Sequence, residues 1–151
     1  MKTLIKGGQV IDPASGFKQN ADVALVGVDV VAINNIANDF VPDTTIDATG
    51  CIVMPGLVDL AVRLREPGQE HAGMLASEMG AAVAGGVTSV VCPPDTEPVL
   101  DEAGLVEMLR HRAERLKQAR LFPLGALTCN LEGEVLTEMM HLTQAGCIGF
   151  S

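Results

Sequence analysis

The chain has 151 residues, 48% of them hydrophobic and 3% aromatic, with 10 Lys and Arg against 19 Asp and Glu and a formal net charge of −9. That apolar content excludes intrinsic disorder and supplies enough side chains for a sizeable core. The surplus of negative charge repels phosphate backbones and anionic lipid, which excludes nucleic acid and membrane surfaces as expected partners.

The N-terminal stretch MKTLIKGGQV has no apolar run long enough for a signal peptide, and no run elsewhere reaches the length of a bilayer span. Residues 1–54 carry short β-branched runs, TLIKGGQVID, ADVALVGVDVVAI and TTIDATGCIVMP, separated by Gly, Asn, Asp and Pro clusters and free of a helical repeat. They predict a small antiparallel β unit, with Gly7-Gly8 and the segment DPASG, Asp12 to Gly16, as its turns. From residue 55 the pattern becomes strand, turn, helix, repeated. Apolar strands begin near Leu57, Val87, Leu121 and Cys147, spaced by about 30 residues, the size of a βαβ unit. Helical patterns fill the gaps. Over 70–84 Leu75, Met79 and Val83 share a face; over 101–117, behind an Asp101 cap, Leu105, Leu109 and Leu116 do so; over 131–145 Val135, Met139 and Leu142 precede Gly146 as a helix stop. Gly85-Gly86 ends the first helix, and Met74, Met79, Met108, Met139 and Met140 read as core filler.

Three crossovers therefore join four parallel strands, and the uniformly apolar LVDLAV, VTSVVC and CIGF suit a sheet covered on both faces, either a parallel barrel or a doubly wound sheet. The sequence stops directly after the fourth strand, which leaves that edge and three helix faces uncovered. A (β/α)8 barrel takes about 250 residues. The expectation is a longer chain cut here; the other possibility is a fragment covered by a partner.

Residues two apart on a strand share a side. Asp59, Ala61, Arg63 and Arg65 thus fall on one face, and Val58, Leu60, Val62 and Leu64 point to the helices. Cys51, Cys92, Cys129 and Cys147 lie in apolar stretches without CxxC spacing, so free buried thiols in a reducing, cytoplasmic compartment are expected. The Cys92-Pro93-Pro94 run has no histidine base tied to it, and Cys92 reads as a buried strand cysteine. His71 falls in a turn, His111 and His141 on outward helix faces, and no two of them have metal-ligand spacing.

The segments PGLVDLAVRLREPG, AAVAGGVTSVVCPPDTEPVLD, FPLGALT and AGCIGFS resemble, in order and spacing, the N-terminal half of dihydroorotases of the amidohydrolase superfamily. The resemblance implies an α/β fold: a small β-sandwich portion over 1–54, then over 55–151 the first half of a (β/α)8 TIM-type barrel, four strands and three helices, truncated. In that family the first barrel strand carries His-x-His, two metal ligands; Ala61 and Arg63 hold those positions here. Ala61 offers no lone pair, and the Arg63 guanidinium keeps its positive charge at every relevant pH. Arg65 matches the family arginine that holds the substrate carboxylate, although an ion-paired arginine at a strand end would look the same. Asp95 stands where active dihydroorotases have asparagine, a donor replaced by a negative charge facing an anion.

The resemblance accordingly implies a pseudoenzyme of pyrimidine biosynthesis with no catalytic residue and no cofactor in this stretch, Arg65 and Asp95 being remnants of a substrate site. Inactive homologues of this kind accompany aspartate transcarbamoylase in some bacteria and serve its assembly, so the implied partner is aspartate transcarbamoylase in a hetero-oligomer. The small β unit and the helix face bearing Arg110, Arg112, Glu114, Arg115 and Lys117 are the candidate contacts. Two alternatives stand beside this reading. One is an active zinc-dependent dihydroorotase with ligands beyond residue 151; the other is a regulatory module that keeps Arg65 to bind a carboxylate.

Overall fold

The computed structural model describes all residues, Met1–Ser151, in two compact units, Met1–Pro55 and Gly56–Ser151. In the first unit β1 (Lys2–Asp12) forms a hairpin with β2 (Phe17–Val26), and β3 (Asp29–Ile33) pairs antiparallel with β2. The DPASG segment closes the hairpin as expected, its Asp12 carboxylate accepting from the Ala14 N–H and the Ser15 hydroxyl. Those two bonds hold the Asp12 carboxyl below its usual range.

Two expectations for this unit are corrected. The sheet is mixed, because β4 (Thr44–Asp47) and β5 (Ile52–Val53) both pair with β1 in parallel. The segment after β3 crosses back to the free edge of β1 before it pairs, and alternation in a sequence encodes a strand but not its direction. Gly7-Gly8 is no turn. It lies inside β1, where the pairing with β2 slips between Ile5 and Gly8, and Gly7 adopts φ +76°. A Cβ on Gly8 would press on Val53 and Ala48, so the bulge lets β5 and the turn before it close on β1. Val10, Ala21 and Val23 are the buried centre of this unit.

The second unit is α/β. A parallel sheet of order β6-β7-β8 is built from β6 (Leu57–Asp59), β7 (Val87–Cys92) and β8 (Arg120–Pro123). Helices α1 (Leu75–Ala84) and α2 (Ala103–Leu116) are the crossovers, and α3 (Met139–Ala145) follows a 3-10 turn at Cys129–Leu131. Leu64, Leu75, Met79, Val90, Leu109 and Leu142 belong to one buried cluster between sheet and helices. At about 25 cal/mol per Å2 of buried apolar surface, such side chains each stabilise the unit by roughly 1.5–3 kcal/mol. No helix is long and apolar enough to cross a membrane.

Several boundaries differ from the sequence reading for local reasons. The fourth segment at Cys147 is not a regular strand, but residues 148–151 run parallel to the end of β8 and the residues after it: Gly125 bridges Phe150, the Ile148 and Ser151 N–H groups donate to Pro123 and Gly125, and the Gly125 and Leu127 N–H groups donate to Gly149 and Ser151. Helix α1 begins at Leu75 and not at 70, because Pro67, Gly68 and Gly73 hold the preceding residues in turns. Asp101 caps no helix; its carboxylate accepts the Asn130 N–H at 2.9 Å, and Glu102 stands at the start of α2 without a side-chain bond. The third helix is only Met139–Ala145, since Leu131 and Gly133 both take positive φ and Val135 is left exposed. Gly146 ends it at φ +108°, as the sequence indicated.

Of the methionines, Met79 is core, while Met74, Met108 and Met140 are exposed. Val83, placed on the inner face of α1 by spacing, is also exposed. Cys92 and Cys147 are buried and Cys129 is intermediate, but Cys51 is exposed in the turn before β5; all four are free.

Candidate functional site

Chemistry-bearing residues collect where the chain leaves the C-terminal ends of β6 and β7. Asp59 closes β6 by accepting the Ala61 N–H at 3.0 Å, a local bond that competes with the ladder. The chain stays extended for a few residues more, and the Val62 N–H donates to the Val91 carbonyl at 2.9 Å. Val62 packs against the core and Leu64 is fully buried in it, so Ala61 and Arg63 stand on the opposite, exposed side. The expectation that Val58 and Leu60 also face the helices fails: both are largely exposed, because β6 is an edge strand and α1 begins too late to reach them. Arg65 has φ +64°, unusual for a residue with a Cβ, and there the alternation stops. The chain turns, with the Gln69 N–H donating to the Arg65 carbonyl at 2.8 Å.

The β7 side contributes Asp95 after Cys92, Pro93 and Pro94. The Pro94 carbonyl accepts from Thr96 and Leu100, which curls the segment back and presents Asp95 across the strand ends. Gly68 lets the two loops meet. Its φ is +99°, an added Cβ would strike the Glu97 carbonyl, and the Pro67 carbonyl accepts the Glu97 N–H at 3.1 Å.

These loops enclose a cleft of about 80 Å3 with Arg63, Arg65 and Asp95 as its charged walls and Cys92 and Pro93 in its lining. Asp95 does not confront Arg65. Its Oδ2 accepts from Arg63 Nε at 2.6 Å, an ion pair whose side chains are 58% and 39% exposed. Arg65 donates through Nη1 to Gln69 Oε1 at 3.2 Å. The two departures from the family pattern thus meet each other, and the expected negative charge facing a bound anion is taken up by a cation of the same chain. With two arginines against one aspartate the cleft is locally positive in a chain of net charge −9.

These residues do not fit the zinc that the resemblance implies. Ala61 supplies no donor atom, Arg63 is a cation, and no three His, Cys, Asp or Glu side chains converge anywhere in the chain. His71, His111 and His141 are all exposed and apart from the cleft. Cys92 is no nucleophile: burial pushes its thiol up to about 11, so the neutral form dominates near neutrality.

Glu66 is the residue that sequence reasoning missed. It is 1% exposed; its Oε2 accepts the Leu75 N–H at the first turn of α1 at 2.9 Å, and its Oε1 is ion-paired with Arg112 of α2. One carboxylate thereby ties the Arg65 loop to two helices, and its charge is well placed at a helix N-terminus. Spacing alone was a partial signal: Val62, Leu64 and Glu66 are two apart, but the left-handed backbone at Arg65 breaks the alternation before Glu66, whose inward placement is set by the turn. The Arg112 side chain is therefore partly committed inside the unit, as is Arg110, which donates to the Ala145 carbonyl at 2.8 Å.

A parallel α/β crossover series with its polar residues at the strand C-termini is the layout of a barrel-type α/β chain. A family model described as dihydro-orotase-like matches residues 50–151. Over 150 residues the chain is 46% identical to a dihydroorotase-like protein of Pseudomonas putida, covering 99% of this chain and 35% of the relative. It is 42% identical over 153 residues to a dihydroorotase of Geobacter sp. (strain M21), covering 100% and 36%. Among solved structures, an L-hydantoinase from Arthrobacter aurescens shares the fold with a TM-score of 0.81 at 24% identity, over 98% of this chain and 32% of that one. The chain belongs to the dihydroorotase-like family of amidohydrolases and spans about a third of the length of these relatives.

Proposed function

We propose that this chain is part of a non-catalytic, cytoplasmic dihydroorotase-like protein whose role is to support the assembly of aspartate transcarbamoylase. The carrying observation is the cleft itself: where the family resemblance calls for metal ligands there is an alanine and an arginine, and that arginine is ion-paired with Asp95 at 2.6 Å. A guanidinium held by a carboxylate leaves no place for a divalent cation, and hydrolysis of a cyclic amide at neutral pH needs an activated water. A fold retained without its chemistry is retained for its surfaces. Co-expression with the aspartate transcarbamoylase of the same genome, followed by native mass spectrometry, tests the role. One stable complex is expected, with the transcarbamoylase impaired alone; separate species and a fully active lone transcarbamoylase would remove the assembly role.

One observation favours a second reading. Relatives about 40% identical over nearly the whole chain are named dihydroorotase, so an active zinc enzyme is the alternative. Stoichiometric zinc in the purified protein, with carbamoyl aspartate turnover abolished by a chelator, would establish that reading. A regulatory module that binds a carboxylate through Arg65 is the third; the only side-chain partner of that guanidinium is Gln69.

A further inference from the structure

The loop after β8 exposes apolar side chains that its own unit does not cover. The Thr128 to Leu136 bridge, with the Cys129 N–H donating to Val135 and the Thr137 N–H to Leu127, folds residues 127–137 into a small hairpin. Opposite residues of a hairpin share a face and neighbours alternate, so Leu127 and Val135 lie on one face and Leu136 on the other. All three are exposed, Val135 and Leu136 at 62% each, and so are Leu131 at the tip and Met140 on α3. A ribbon apolar on both faces can lay only one of them on the unit it springs from. The hairpin is nevertheless held in one shape. The buried Thr137 hydroxyl donates to the Ala126 carbonyl at 2.7 Å, the Asn130 N–H to Asp101 Oδ2 at 2.9 Å and the Gly133 N–H to Thr128 Oγ1 at 3.0 Å. Asn130 and Leu131, two consecutive residues with side chains, take φ +52° and +61° at the tip, a strain of the kind that clusters at binding elements. Charge points to the occupant. Residues 121–151 contain Glu132, Glu134 and Glu138 and neither Lys nor Arg, so the apolar patch has an acidic rim, which the same face of a second copy would repel and a basic rim would match. The α2 face is the poorer contact, since Arg110 and Arg112 are partly held within the unit.

We propose that the 127–137 hairpin is the docking element of this chain, a wedge that inserts Val135 and Leu136 into an apolar groove with a basic rim on a protein partner. The inference rests on the assembly role above and gives it a surface: the groove belongs to aspartate transcarbamoylase. Desolvation of the two apolar side chains at the centre of the contact supplies the affinity, and the glutamates at its rim set the salt dependence and the choice of partner.

Isothermal titration of the full-length protein with the aspartate transcarbamoylase of the same genome, at low and at physiological ionic strength, tests this. The wild type is compared with Val135→Asp/Leu136→Asp, with Glu132→Lys/Glu134→Lys, and with Val28→Asp in the small β unit, the other candidate contact. Every substituted side chain is exposed, so the variants keep the fold, which circular dichroism checks. The Val135→Asp/Leu136→Asp protein should bind about a hundredfold more weakly, as loss of two central anchors implies. Glu132→Lys/Glu134→Lys should bind about tenfold more weakly at low salt and lose most of the salt dependence, while Val28→Asp binds like the wild type. Wild-type affinity in the Val135→Asp/Leu136→Asp protein overturns the docking element and leaves the assembly role standing. So does protection of Val135 and Leu136 from hydroxyl-radical oxidation in the full-length protein without its partner, which would show that the chain itself covers the patch. Absence of any complex with the wild type strikes the assembly role and the docking element together, so the two failures are distinguishable.

Discussion

Replacing Arg112 by methionine should destabilise the second unit more than removing the charge from its partner Glu66. Glu66 is 1% exposed, and besides the Leu75 N–H on Oε2 its other oxygen faces only Arg112, whose side chain is 49% exposed. Arg112→Met leaves a buried carboxylate with one hydrogen bond, a defect that costs about 3–5 kcal/mol in buried pairs. Because the half-exposed arginine leaves water a path to Oε1 when it goes, the lower end, about 3 kcal/mol, is expected. Glu66→Gln keeps a carbonyl oxygen for the Leu75 N–H and removes the buried charge, while Arg112 can turn to solvent; about 1 kcal/mol is expected. The double variant should resemble Glu66→Gln alone, a coupling of about 3 kcal/mol. Urea unfolding followed by far-UV circular dichroism measures the three differences, and hydrogen exchange of the Leu75 amide reports the helix end directly. If Arg112→Met costs no more than Glu66→Gln, or the two costs add, Glu66 is not the buried tie described above.

Other perturbations test the remaining structure. Leu64→Ala, at a fully buried position beside the cleft, should cost about 2–5 kcal/mol in the same urea measurement. Gly68→Ala meets both a positive φ and the Glu97 carbonyl, so a loss of about 1–3 kcal/mol is expected, with displaced NMR signals for Arg63 and Arg65. Native Cys51 should react quickly with a thiol reagent and Cys92 only on unfolding, as mass spectrometry of the labelled chain would show. Burial pushes the Cys92 thiol up to about 11 in the fold from its ordinary value of 9.0. Its stabilisation is fully present below pH 9 and is lost as pH rises toward 11, about 3 kcal/mol in all. Cys92→Ala should flatten that alkaline limb; an unchanged slope would show that the thiol is not held neutral.

The sequence by itself determined the α/β class, the break near residue 55, the parallel order of the three formed strands and the side on which Ala61 and Arg63 emerge. These follow from periodicity and turn chemistry, which are properties of neighbouring residues. The family was legible only as a resemblance, carried by motifs such as LREPG and PDTEPVLD. Only the tertiary structure decided the direction of β4 and β5, because pairing partners distant in sequence set strand direction. The Gly7-Gly8 bulge likewise became intelligible only with Val53 and Ala48 packed against it. The same holds for the site. Two unfavourable substitutions read singly, a cation at Arg63 and an anion at Asp95, are a single ion pair once the loops after β6 and β7 are brought face to face. Glu66 and Arg112 lie 46 positions apart along the chain, and no local rule joins them. A parallel sheet brings distant loops together at its C-terminal edge, and charge–charge contacts there depend on that convergence, which one-dimensional pattern does not carry.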